Sequence, residues 1–178
     1  MEAYLSTKTQ PMVEIQTLYA MDLIGKNLVD IYENPDNLDG WSKISFASTL
    51  GGMAINMAGV AAPHGMEHPV SGLRNIVHGR GLAALTPVVY SQTISSAPEK
   101  FRVISKLLGG SDENDLVDTL CALLDRIGLR TTLGKEGVKA EDIDWMAENC
   151  LKVSKPSMDV YPYRFTLDEI KEVYRQAL

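Results

Sequence analysis

From Pro11 onward the apolar residues of this chain return every three or four positions, and no useful stretch alternates with period two. That rhythm is the face of an amphipathic helix, and without the alternation of a half-buried strand it predicts an all-α fold. Val13, Ile15, Leu18, Tyr19, Leu23, Ile24, Leu28, Ile31 and Tyr32 form the first long run, entered at Pro11 and stopped by Asn34-Pro35. Asp39 is placed to cap a second helix over 40–61. Its Ala47, Ser48, Gly51, Gly52, Ala54, Ala58 and Gly59 predict close approach of another backbone or a ligand, and so a central position. Pro63 opens a short helical piece, with 69–77 expected as a loop. Helical pattern returns over 79–95, with a kink expected at Pro87. Pro98 opens a helix closed by Gly109-Gly110. Ser111 or Asp112 caps the next, and another covers 140–152. Thr166 and Glu169 form a capping box for the last.

At 178 residues, with 45% hydrophobic and 22% charged side chains, the chain suits one helical domain spanning 1–178. A net charge of -6 and scattered lysines and arginines argue against a nucleic-acid partner. No apolar run reaches the ~20 residues that span a bilayer, and no signal-like amino terminus is present. A cytoplasmic protein without a membrane partner is expected. Cys121 and Cys150 lie in amphipathic segments away from any histidine and read as packed thiols.

All three histidines fall in one segment, at 64, 68 and 78. Imidazole is the commonest protein ligand for transition metals and titrates nearest neutral pH. Taken singly, each histidine reads as an ordinary packed or surface residue, but their clustering needs a common cause. His64 and His68 stand four apart and share a face if helical. The chain between them and His78 is long enough to fold back and bring His78 beside His64. One reading is formal: His64-Gly65-Met66-Glu67-His68 matches H-x-x-E-H, an inverted zinc-peptidase pattern, with Glu67 activating water and Glu141 or Glu148 as third ligand. That reading leaves His78 idle.

The wider neighbourhood is more specific. A small-residue run over Ala54 to Gly59, then His64, His68-Pro69, His78-Gly79 and Gly81-Leu82-Ala83, resembles the C-terminal helical domain of the iron-containing alcohol dehydrogenases. The resemblance extends from Glu2-Ala3-Tyr4-Leu5-Ser6 through Leu133–Met146 to Thr166–Leu178. It implies a site in which one aspartate and three histidines hold Fe²⁺ or Zn²⁺. His64 and His78 match the last two ligands. His68 matches a residue beside the metal and nicotinamide, a catalytic role in relaying the alcohol proton. The metal then serves as Lewis acid for a small alcohol or aldehyde, with NAD or NADP exchanging hydride. Glu67 stands where many members carry a small residue.

In that family the aspartate and first histidine precede the segment that begins here at Glu2, and an α/β nucleotide-binding half precedes them both. Neither is found in these residues. The expectation is therefore a C-terminal domain that is inactive alone, with an exposed apolar face favouring a homo-oligomer. The contrasting reading is a non-enzymatic helical module for binding or assembly.

Overall fold

Ten α-helices and three short 3-10 turns succeed one another without a strand in the computed structural model, which describes residues 1–178. The helices are α1 (Glu2–Leu5), α2 (Pro11–Glu33), α3 (Leu38–Ala58), α4 (Ala62–Arg74) and α5 (His78–Thr93). They continue as α6 (Pro98–Leu108), α7 (Leu116–Arg126), α8 (Ile143–Val153), α9 (Lys155–Asp159) and α10 (Leu167–Ala177).

Most boundaries follow local chemistry. Pro11 is the first residue of α2, where its missing N–H costs nothing, and the Gln10 side chain accepts from the Met12 amide. Gly109 takes the left-handed conformation that closes α6. Thr166 and Glu169 form the reciprocal capping box that opens α10.

A core of 30 buried residues joins α4, α5, α6, α7, α8 and α10. Tyr90 and Phe101 meet edge-on at 5.2 Å within it. Tyr174 of α10 donates its hydroxyl to the Met66 carbonyl of α4 at 2.6 Å. Cys150 is fully buried, and burial pushes its thiol up to about 12, while Cys121 is partly covered; neither is bonded to the other.

Three expectations are corrected. First, 69–77 is not a loop. Helix α4 runs through Pro69 to Arg74, and only residues 75–77 connect it to α5. An interior proline costs about 3 kcal/mol in an exposed helix, but here Met66, Pro69 and Val70 are buried and the packing offsets that cost. Arg74 closes the last turn with a paired contact to Asp142, at 2.8 and 2.5 Å. Second, Asn37, not Asp39, caps α3, accepting from the Gly40 amide. Third, α3 is peripheral rather than central. Only Gly40, Ala47, Ala54 and Ala58 are buried on it, a narrow stripe packed on α2, while Trp41, Phe46, Met53, Ile55 and Met57 are exposed.

The glycines separate accordingly. A methyl group on Gly25 would collide with the Leu107 carbonyl oxygen, so α2 and α6 approach closely only because that residue lacks one. Gly52 faces open space. Gly25→Ala is therefore expected to lower stability by about 1–3 kcal/mol. Gly52→Ala is expected to raise it by up to about 1 kcal/mol. Urea denaturation of the two variants measures both.

Candidate metal centre

The site forms where α4 ends its first turn and α5 begins. His64 and His68 lie one turn apart on α4, and His78 is the first residue of α5. The short connector, with Asn75 in the left-handed region at φ 51°, reverses the chain and returns His78 to its partners. The ring centres of His64 and His78 are 5.1 Å apart, those of His68 and His78 5.8 Å, and those of His64 and His68 6.0 Å. All three sequence-predicted residues thus converge, including His78 beside His64 as its spacing allows.

Two of the three rings are held by carboxylates. Glu2 of α1 binds His64 Nδ1 through Oε1 at 2.5 Å. Its Oε2 accepts from the Ala61 amide at 2.7 Å and from the His64 amide at 3.3 Å. Ala61 has no capping side chain of its own, so Glu2 caps α4 from outside the helix. Glu67 binds His78 Nδ1 through Oε2, and its Oε1 accepts from the Ser71 hydroxyl. A carboxylate on Nδ1 places that nitrogen's proton and leaves Nε2 as the donor atom for a metal. His64 and His78 are therefore chemically suited to Fe²⁺ or Zn²⁺. No three His, Cys, Asp or Glu side chains of this chain are grouped to hold an ion among themselves, so the pair is a partial donor set.

His68 differs. It stacks on His78 with an interplanar angle of 20° and lies at the surface. Partial desolvation, and after it the neighbouring His64, hold its pKa below the ordinary imidazole value. The neutral ring is thereby favoured, and a proton it takes up is readily released.

Beside His64 lies a cavity of about 320 Å³, lined largely by apolar groups including Ala54, Ile55, Val60 and Leu82. Gly51 borders it, so one of the two mid-helix glycines of α3 does face a space that a ligand can enter.

This geometry disposes of the zinc-peptidase reading. Glu67 is fully buried and both its oxygens are engaged, leaving none to activate a water. Glu141 is exposed and pairs with Lys139 at 3.5 Å, and Glu148 is exposed on α8. Sequence reasoning missed Glu2 and Ser71. The Glu67/Ser71 spacing of one helical turn was available as a signal. Nothing local marks Glu2, which acts on a residue 62 positions away.

The profile of the Fe-containing alcohol dehydrogenase family, C-terminal, matches residues 1–178. The chain belongs to this family. Its helical domain is 33% identical to 1,3-propanediol dehydrogenase of Klebsiella pneumoniae, over 99% of this chain and 47% of that protein. It is 27% identical to alcohol dehydrogenase 4 of Saccharomyces cerevisiae, over 99% of this chain and 47% of that one. A solved structure of 1,3-propanediol oxidoreductase superposes with a TM-score of 0.93 at 31% identity, covering 99% of this chain and 48% of that structure. An alcohol dehydrogenase from Oenococcus oeni superposes at 0.92 with 28% identity, covering 99% and 48%. The chain thus spans about half the length of these relatives, as their C-terminal half. No single helix is long and apolar enough to cross a membrane.

Glu2 carries both a helix cap and a histidine, with a side chain only 11% exposed. Glu2→Ala is expected to destabilise the chain by about 1–3 kcal/mol by leaving the Ala61 and His64 amides without their acceptor. Glu2→Gln should cost less. Thermal unfolding of the two variants ranks them.

Proposed function

We propose that this domain supplies the metal-binding and substrate-facing half of an NAD- or NADP-linked alcohol dehydrogenase. The observation that carries the reading is the meeting of three imidazoles, two with carboxylate-held Nδ1 atoms, beside an apolar cavity in a domain of this family. His64 and His78 would hold the metal, which when bound supplies Lewis-acid polarisation of the alcohol oxygen. Glu2 and Glu67 orient the two ligand rings. His68, kept neutral, accepts the proton released as the alcohol is oxidised and returns it to solvent; in the reverse direction it donates that proton to the reduced carbonyl. The cavity's size and apolar walls suit a small alcohol or aldehyde.

The test of the ligand assignment is titration of the chain with Zn²⁺ by calorimetry. His64→Ala and His78→Ala are each expected to weaken binding at least about tenfold, equivalent to ~1.4 kcal/mol. His68→Ala should leave affinity within about twofold, well below that tenfold step. Unchanged affinity in both ligand variants overturns the assignment.

The described residues contain no strand, and so no strand–glycine–helix site for a dinucleotide pyrophosphate. The 178-residue chain alone is therefore expected to show no alcohol-dependent reduction of NAD or NADP. Absorbance at the reduced-nicotinamide band, with and without added Zn²⁺ or Fe²⁺, checks this. Turnover by the chain alone overturns the division of labour proposed for it.

A further inference from the structure

Glu67 is an anion placed where anions are costly. Its residue is fully buried, and its carboxylate contacts no lysine or arginine; its two partners are the His78 ring and the Ser71 hydroxyl. An isolated buried carboxylate costs several kcal/mol unless its lone pairs are satisfied. The fold also gives this side chain space. A methyl group on Gly81, one turn into α5, would sit 2.5 Å from Glu67 Oε1 and 2.9 Å from its Cγ. So α5 approaches α4 at a residue without a side chain, directly over the carboxylate.

We propose that Glu67 is a positioning residue for His78: it fixes that ring in the Nδ1–H tautomer and so presents a bare Nε2 before any metal arrives. The proposal rests on the metal-centre reading of His64 and His78 given above. Three features support it. The carboxylate binds Nδ1 and not Nε2. Ser71 occupies the second oxygen, so Glu67 has one orientation in which both partners are satisfied. His78 is the more exposed ring of the ligand pair, at 47% against 20% for His64, and packing alone constrains it less. In water, neutral imidazole prefers the opposite tautomer, with the proton on Nε2, which would block the donor atom. A ligand-bound histidine whose second nitrogen lacks its partner commonly loses about 10–100-fold in metal affinity.

The test uses the full chain with ¹⁵N-labelled histidine. Long-range ¹H–¹⁵N correlation spectra near pH 8, above the ordinary imidazole range, assign the tautomer of each ring. His78 is expected in the Nδ1–H form in the parent chain and in the Nε2–H form in Glu67→Ala. His64, held by Glu2, should keep its tautomer in both and serves as the internal control, since general loosening of the fold would move both rings. In parallel, Zn²⁺ affinity is expected to fall about 10–100-fold in Glu67→Ala. Glu67→Leu keeps a buried side chain that cannot accept a hydrogen bond from Nδ1 and carries the metal arm should the alanine variant fail to fold; a loss of at least about tenfold is expected there as well. His78 remaining in the Nδ1–H form in Glu67→Ala overturns the proposal, and so does unaltered Zn²⁺ affinity in Glu67→Leu. If the parent chain takes up no Zn²⁺, the metal-centre reading is what fails, and the tautomer of His78 still decides whether Glu67 positions it.

Discussion

Both helices that carry the proposed ligands begin without a capping side chain of their own. Ala61 opens α4 and Val77 opens α5, and neither first turn contains an acidic residue. In each case a carboxylate from another helix stands at the amino-terminal end, where the helix dipole is positive. Glu2 bonds to the first amides of α4 and to the His64 ring. Glu67 lies against Gly81 in the first turn of α5 and bonds to the His78 ring. At α4 a single carboxylate therefore caps the helix start and holds a histidine ring at once; at α5 Glu67 holds the ring without bonding the helix amides. At the start of α4 the site and the local fold are coupled, because Glu2 holds both the first amides and the His64 ring.

Helix α4 shows what such an arrangement demands of the rest of the molecule. It carries an interior proline and a buried anion, two features that disfavour an isolated helix. What offsets them comes from elsewhere in the chain. Met66 and Val70 are completely buried. Met158 of α9 packs where Gly65 leaves room. Tyr174 bonds to the Met66 carbonyl, and Asp142 anchors Arg74. Helices α8, α9 and α10 thus act at a distance from the histidines by keeping α4 helical through Pro69. That continuity sets Ser71 one turn from Glu67, so the carboxylate's second oxygen has a partner.

The sequence was legible where the determinants are local. Pro11, Asn34-Pro35, Pro98, Gly109 and the Thr166–Glu169 box each act within a few residues, and each marks a boundary the structure keeps. The meeting of His64 with His78 was legible too, because a short return is enough to produce it. Reading failed where burial decided the outcome. Pro69 signals a helix stop only in an unpacked chain, and here α4 is packed. The small residues of α3 signalled close approach correctly at Ala47, Ala54 and Ala58, which meet α2. They misled at Gly52, which faces open space. The role of Glu2 was not legible at all, since it depends on α1 docking against the start of α4.

The three imidazoles, alike in sequence, are made unlike by their neighbours. Two have carboxylates on Nδ1, which leaves Nε2 as the nitrogen open to a metal. The third stacks on His78, and its desolvation, with the charge of His64 next in weight, disfavours a proton on it against the pull of Glu67 and Glu2. A ligand needs a fixed lone pair and gains from a nearby anion, which increases its basicity. A proton carrier needs the reverse: no fixed partner, access to solvent, and a proton affinity low enough to release what it accepts. His68, exposed and stacked, meets the second description; His64 and His78 meet the first. In the proposed function, which histidine would do what is thus set by the two glutamates more than by the histidines themselves.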